Sequence, residues 1–329
     1  MHQLEGLSKL AGETEAVEIH RRKRRPLWKR VLVRVVVYGL GGMVALCFIA
    51  AWGICHPERR TGSMPAQLGS ASDSLEESEL RGSGAGDPIV IYLYRSTQPN
   101  ARGVLLFCHT WSYNAANALD RCRFLSAEGF HVVLFDMPAH GKSGGTCTFG
   151  LRESRLLLPA LVKWTRGRFP GERLVLWGDS IGAVMVVAGV TQVPGEVSAV
   201  IAENPFRSLP ACMGRHINSW VRLPAFPANY LVTCFVGLLS RSNPFALDLE
   251  DEVAQPGPPI LLLSSEHDPE VQPDTPGRLL AAGKGRVKLR PIPGAGHMDA
   301  FPTGGQELQE DILIFLQGVL PGRGLPGGT

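Results

Sequence analysis

The chain has 329 residues, 44% of them hydrophobic, and a formal net charge of +3, which fits one large domain with additions. Eight Lys or Arg residues lie between Arg21 and Arg34, so the positive charge belongs to the N-terminus and argues against a nucleic-acid partner. The seven cysteines have no regular spacing, which argues against a disulfide framework and against a C-x-x-C metal site.

An apolar run follows the basic N-terminal segment, residues 1–34. Residues 35–55 are 21 residues without a charge, long enough to cross a bilayer, and they predict a transmembrane helix. A cleaved signal peptide is the alternative, but the polar segment before the run is long and the run exceeds a signal core. The basic cluster predicts a single-pass protein with a cytoplasmic N-terminus and its catalytic domain on the opposite side.

The rest of the chain divides into a linker, a domain and a tail. Residues 56–88 are predicted to be a flexible linker, because Gly62 to Pro88 is rich in Ser, Gly, Glu and Ala. Residues 321–329 are predicted to be a disordered tail. Residues 89–320 are predicted to form one domain, interrupted by a helix-prone cap insert at 206–255.

Within this domain, short apolar segments alternate with helical patterns. The alternation predicts an α/β fold with a mostly parallel central sheet and helices on both faces. In such sheets, functional groups gather at the carboxyl ends of the strands. The predicted strands are 89–95, 103–109, 131–137, 173–177, 197–204, 259–265 and 287–293.

The segment RLVLWGDSIGA, residues 173–183, predicts a strand, a tight turn and a helix. Gly178, Ser180 and Gly182 form the G-x-S-x-G pattern of a nucleophile elbow in the strand-turn-helix context that this motif needs. Glycine is needed there because the sharp turn leaves no room for side chains beside the serine. Ser180 is therefore the predicted nucleophile.

A serine nucleophile needs a base, and in this type of fold the base comes last in the chain. The histidines after Ser180 are His216, His267 and His297. His297 lies in a Gly-rich loop after the last predicted strand and is the predicted base. His216 falls in the insert, where a packing or surface role is expected.

The orienting acid should follow a strand and precede the base. Asp268 lies just past the strand that ends at Ser265, and the following Pro269 fixes the turn, so Asp268 is the predicted acid. Glu203, at the end of the preceding strand, is a second candidate. Among other carboxylates, Glu266 and Glu270 are sequence neighbours of Asp268, Asp179 is expected to point away from the histidine, and Asp248, Glu250, Asp251 and Glu252 are expected to form a solvated face.

An oxyanion hole needs two backbone N–H donors. Ile181, directly after the nucleophile, is one predicted donor, and Trp111 in the loop after an early strand is the other. Thr110 stands where such loops usually have glycine, a departure from the pattern. Structural roles are expected for His109, His140 and Ser143.

Two other chemistries lack their motifs. The sequence has no H-E-x-x-H or C-x-x-C pattern, so no metal is expected. No G-x-G-x-x-G pattern opens the first predicted strand-helix unit, so no dinucleotide cofactor is expected.

The motifs together resemble the α/β-hydrolase superfamily over roughly residues 89–320. The segments that carry the resemblance are CHTW (108–111), DMPAHGKS (136–143), GDSIGA (178–183), HDPEV (267–271) and GAGHMD (294–299). The ENPF run (203–206), the insert and the anchor are similar to BEM46-like serine hydrolases, which are related to serine aminopeptidase-type enzymes. This resemblance implies Ser180 as nucleophile, Asp268 as acid and His297 as base.

The expected function is a membrane-anchored serine hydrolase that cleaves an ester or thioester of a small or lipid-like acyl substrate. The lipid preference rests on the anchor and on the apolar segment 225–239, which either caps an acyl pocket or simply packs in the core. A peptidase or amidase with the same triad, or a non-catalytic receptor or scaffold with this fold, are the alternatives.

Overall fold

A computed structural model describes residues 26–85, 87–220 and 225–320. The described strands are β1 (Glu76–Leu80), β2 (Ile89–Tyr94), β3 (Gly103–Cys108), β4 (Phe130–Phe135), β5 (Leu174–Asp179), β6 (Ala199–Glu203), β7 (Ile260–Ser265) and β8 (Val287–Ile292). The described helices are α1 (Leu27–Cys55), α2 (Leu119–Ala127), α3 (Leu158–Arg168), α4 (Ile181–Gly189), α5 (Leu209–Trp220), α6 (Ala225–Ser240), α7 (Leu249–Ala254), α8 (Thr275–Ala282) and α9 (Ala300–Val319).

The strands form one sheet in the order β1-β2-β4-β3-β5-β6-β7-β8. The pairs β1/β2 and β2/β4 are antiparallel, and every later pair is parallel. Residues of β3 and β5 are buried at every position, as expected for strands covered by helices on both faces. The predicted α/β-hydrolase fold, with a mostly parallel sheet, is confirmed.

β5 lies at the centre of this sheet, between β3 and β6, and leads into α4. All nine residues of α4 are buried, because the helix is apolar on every face. Gly182 in its first turn lies so close to the backbone of Cys108 that a Cβ there would overlap the carbonyl oxygen. Glycine is therefore required where α4 crosses the end of β3.

α1 is a continuous helix of 29 residues that is long and apolar enough to cross a membrane. It begins before the predicted start at Val35. Up to Met43, its side chains are exposed or partly exposed and form a unit of their own. From Val44 onward, the helix belongs to the same compact unit as the sheet.

The segment predicted to be a flexible linker contains an ordered strand, so this prediction is wrong for residues 76–80. β1 pairs antiparallel with β2, from Glu76 opposite Leu93 to Leu80 opposite Ile89. An edge strand needs only one partner, and the charged residues of β1 keep its outer edge soluble. Its sequence EESEL therefore lacks the continuous apolar run that marked the other strands.

The predicted insert contains α5, α6 and α7, and it lies between β6 and β7. The residues predicted to form the disordered tail, 321–329, and most of the basic N-terminal segment lie outside the described residues. All seven cysteines lie within the described residues, and none is paired in a disulfide.

Candidate active site

Ser180 occupies the turn between β5 and α4 in a strained backbone conformation. Its φ of 51° and ψ of −111° are unusual for a residue with a Cβ, and such strain persists only where the surrounding structure holds it. The Ser180 N–H donates to the carbonyl of Glu203 at 2.8 Å, which fixes the turn against the end of β6. The turn therefore presents the hydroxyl of Ser180 at the carboxyl edge of the sheet.

The structure brings Ser180, His297 and Asp268 together in one hydrogen-bonded chain. The Nε2 of His297 lies 2.9 Å from the Oγ of Ser180, and its Nδ1 lies 2.7 Å from the Oδ2 of Asp268. Ser180 follows β5, His297 follows β8 and Asp268 follows β7. These strands are parallel, so their carboxyl ends lie along the same edge of the sheet. This arrangement can remove a proton from the serine hydroxyl and stabilise the resulting imidazolium.

The carboxylate of Asp268 is held by its own turn. Its Oδ1 accepts hydrogen bonds from the N–H groups of Glu270 at 2.7 Å and Val271 at 3.0 Å, which leaves Oδ2 for His297. Burial raises the pKa of Asp268, but the hydrogen bond and charge of His297 outweigh burial, and the pKa lies below its usual range. Asp268 is therefore ionised at neutral pH.

The imidazole of His297 has a raised pKa. Burial lowers this pKa, but the hydrogen bond and charge of Asp268, together with the charge of Glu270, raise it above its ordinary value.

Asn204 holds the loop that carries His297, since the Nδ2 of Asn204 donates to the carbonyl of His297 at 2.9 Å. This role was not predicted, although the sequence places Asn204 at the end of a predicted strand; in the structure it follows β6 directly and its φ is positive, at 49°.

A cavity of about 260 Å³ opens beside Ser180 and His297. Both predicted oxyanion donors, Ile181 and Trp111, line it. Thr110, which replaces the usual glycine of this loop, lines the same cavity. Its walls combine aromatic and charged side chains: Trp111, Tyr113, Phe149 and Phe206 with Arg60, His216 and Glu270.

Two neutral histidines hold the loop that carries Trp111. The Nε2 of His109 accepts from the Met137 N–H at 2.9 Å, and its Nδ1 lies 2.7 Å from the Thr110 carbonyl. The Nε2 of His140 accepts from the Ser112 N–H at 3.0 Å. Burial lowers the pKa of His109 to about 4 and that of His140 to about 3, so both rings stay neutral. Their roles are structural, as the sequence predicted.

His216 and Glu270 line the cavity, and His216 is buried. Of the two roles expected for His216, the surface role is therefore wrong, while its burial agrees with a packing role. The Oε2 of Glu270 lies 3.2 Å from the Nε2 of His216 and 3.3 Å from the Nε2 of His297. Burial lowers the pKa of His216, but Cys212 and Glu270 raise it to about 10, so His216 is a cation. The sequence offered no signal for this pair, because His216 lies on a cap helix far from the motifs.

Glu203, the second candidate for the acid, lies in a different cluster. It forms a bidentate ion pair with Arg121, at 3.0 Å to Nε and 2.6 Å to Nη2. Asp179 lies 3.7 Å from the same guanidinium. Both carboxylates are buried, and neither is hydrogen-bonded to His297, in agreement with the expectation for Asp179.

The amino-acid sequence is similar to known protein families. Residues 99–244 match the model of the serine aminopeptidase S33 family of hydrolases. The protein bem46 of Schizosaccharomyces pombe is 26% identical over 212 residues, which cover 63% of this chain and 65% of that protein. The predicted resemblance to the α/β-hydrolase superfamily and to BEM46-like hydrolases is confirmed.

Solved structures share the fold. An esterase of Pyrococcus furiosus superposes with a TM-score of 0.65 at 22% identity, covering 82% of this chain and 99% of the esterase. A bacterial membrane phospholipase A superposes with a TM-score of 0.53 at 18% identity, covering 90% of this chain and 97% of that chain. These likenesses show an α/β-hydrolase fold.

Proposed function

We propose that this protein is a membrane-anchored serine hydrolase that cleaves the carboxylic ester or thioester of a lipid-like substrate. The observation that carries the proposal is the hydrogen-bonded chain from Ser180 through His297 to Asp268, with distances of 2.9 and 2.7 Å. The helix α1 supports the anchor. In this topology the N-terminus is cytoplasmic and the catalytic domain lies on the opposite side of the membrane.

The reaction proceeds through an acyl-enzyme. The Oγ of Ser180 attacks the acyl carbonyl carbon while the Nε2 of His297 takes the hydroxyl proton. The N–H groups of Ile181 and Trp111 stabilise the negative charge on the carbonyl oxygen. His297 returns its proton to the leaving alcohol or thiol. It then takes a proton from the water that attacks the acyl-enzyme, and it gives this proton to the Oγ of Ser180 as the acyl–Oγ bond breaks and the acid leaves. Asp268 keeps the imidazole oriented throughout.

A fluorophosphonate probe tests this proposal directly, because it reacts only with an activated serine. We expect the full-length protein to be labelled and the adduct to map to the peptide that contains Ser180. Prior incubation with a long-chain acyl ester should slow the labelling. An unlabelled protein, or an adduct on another serine, would refute the proposal.

An amidase or peptidase activity is a second candidate, favoured by the match of residues 99–244 to the serine aminopeptidase family. The carboxylate of Glu270 at the cavity suits a substrate ammonium group. Rates on p-nitrophenyl esters of increasing chain length, compared with rates on aminoacyl p-nitroanilides, distinguish the candidates. Faster hydrolysis of the anilides would replace the ester proposal.

The pH dependence of kcat/KM should show that Glu270 raises the pKa of His297. His297 must be neutral to accept the serine proton, so kcat/KM falls as the pH drops through its raised pKa. Glu270→Gln removes a negative charge 3.3 Å from Nε2, lowers this pKa and shifts the acidic limb to lower pH. Glu310→Gln, on an exposed face of α9, serves as the control and should leave the limb in place. An unchanged limb in Glu270→Gln would contradict this role.

A further inference from the structure

The outer face of α6 is an apolar stripe. Tyr230, Cys234 and Leu238 are exposed at intervals of four residues along the helix. Phe226, which is 76% exposed at a non-helical kink at the start of α6, extends the stripe. No residue from Leu223 to Ser240 carries a charge. A helix on the surface of a soluble domain normally has polar residues on its outer face, so this one is fitted to an apolar surrounding.

α6 is packed against the last turns of α1. The rings of Phe48 and Phe235 meet edge to face with centroids 5.4 Å apart, and the Sγ of Cys47 lies 4.0 Å from the carbonyl oxygen of Ala228. The side chains of Cys47 and Ala51 are fully buried in this region. The contact therefore involves α1 about two turns before its end at Cys55.

This contact fixes the depth of α6 if α1 spans a bilayer. The charge-free run 35–55 is about 31 Å long at 1.5 Å per residue, and a hydrocarbon core is about 30 Å thick. The run has no excess length, so Cys55 lies close to the hydrocarbon boundary. Phe48, seven residues earlier, then lies about 10 Å inside it, and the helix that touches Phe48 lies at that depth too.

We propose that α6 is immersed in the lipid leaflet on the domain side of the membrane. This inference rests on the membrane anchor of the proposed function. With 16 residues, α6 is too short to cross the bilayer. It is a second, non-spanning membrane element, with the stripe of Phe226, Tyr230, Cys234 and Leu238 in contact with acyl chains.

The immersed helix connects the leaflet to the cavity. α6 packs on α5, and α5 carries Cys212 and His216, which line the cavity beside Ser180. The end of α1 contacts the opposite side of the site, where the indole Nε1 of Trp111 donates to the carbonyl of Ile54 at 3.0 Å. The cavity is thus held next to lipid by two helices, which suits a substrate that stays in the bilayer.

Cys234 provides a native position for the test, because it is exposed while the other six cysteines are buried. The full-length protein is reconstituted into phosphatidylcholine vesicles and labelled at Cys234 with an environment-sensitive nitrobenzoxadiazole maleimide. We expect blue-shifted emission, strong quenching by lipids with a nitroxide on the acyl chain, and little quenching by aqueous iodide.

Two variants in a Cys234→Ser background calibrate the measurement. Val37→Cys reports from an exposed position of α1 inside the charge-free run and should be quenched by the acyl-chain nitroxide, as Cys234 should. Glu196→Cys reports from an exposed loop before β6, at the sheet end opposite Ser180, and should be quenched by iodide alone.

Two outcomes would overturn the inference and are distinguishable. If Cys234 behaves like Glu196→Cys while Val37→Cys is lipid-quenched, α6 is not immersed but the anchor stands. If Val37→Cys is also quenched by iodide alone, the anchor itself fails. Fluorophosphonate labelling of the same vesicles reports separately on the serine chemistry.

Discussion

Ser180→Ala should lower kcat for ester hydrolysis by about 10⁴- to 10⁶-fold, because serine hydrolases lose nearly all covalent catalysis when the nucleophile is removed. The residual rate comes from the backbone donors and from substrate binding, which the substitution leaves in place. His297→Ala should cause a loss of similar size. The double variant should be no slower than either single variant, because the two residues act as one unit.

Initial rates on a p-nitrophenyl ester, with thermal unfolding of each variant, check this prediction. Ser126→Ala is the matched control, since this serine is fully buried on α2 and its hydroxyl has no hydrogen-bond partner among the described residues. It should keep wild-type activity. A Ser180→Ala variant that retains more than about a tenth of the wild-type kcat, where a factor of 10⁴ or more is expected, would contradict a nucleophilic Ser180.

The sequence predicted the central strands well because these strands are buried on both faces. β3 and β5 read as continuous apolar runs, and a run of this kind bounded by turn residues has few alternatives in a chain that also alternates with helices. The edge strand β1 was missed for the same reason, since EESEL buries almost nothing and depends on pairing with β2. Pairing through the backbone leaves no pattern of apolar side chains to detect.

In the candidate site too, residues with a local sequence pattern were predicted and residues that depend on tertiary packing were not. Ser180, Asp268 and His297 were predictable because each follows a strand, and strand order alone places them at one edge of the sheet. The contact between His216 and Glu270 was not predictable, because it depends on how the cap helix α5 packs above the cavity. Propensity and periodicity describe a helix but not the angle at which it packs.

The buried cluster behind the nucleophile is a further point where sequence and structure differ. Glu203 is a reasonable acid by its place at the end of β6, yet Arg121 takes both of its carboxylate oxygens. Arg121 also lies over the ring of Phe301, with 5.4 Å between the guanidinium carbon and the ring centroid. Arg121 thus links α2 to β6 through the ion pair and to α9 through Phe301. Because these three elements are distant in sequence, the cluster stabilises the packing of the fold behind Ser180.

Glu203→Gln should therefore lower the free energy of unfolding of the protein. Glu203→Gln leaves the buried guanidinium of Arg121 with Asp179 alone, at 3.7 Å. Losing one partner of a buried ion pair costs about 3–5 kcal/mol. Thermal unfolding of the full-length protein in detergent should show a fall in Tm of roughly 5–15 °C for a chain of this size. Glu79→Gln, in the exposed pair with Arg81, is the matched control and should change stability by about 1 kcal/mol at most.

The double variant Arg121→Met with Glu203→Gln separates the two possible causes of this loss. If the loss of the Glu203 carboxylate beside the buried Arg121 charge is responsible, removing that charge should recover part of the stability lost in Glu203→Gln. Asp179, 3.7 Å from the guanidinium in the wild type, then has no cation beside it, and burial holds the pKa of Asp179 above its usual range. A protonated Asp179 needs no counterion, so the double variant should lose stability as the pH rises through that raised pKa. A Tm for the double variant below that of Glu203→Gln at pH 6 would contradict this account.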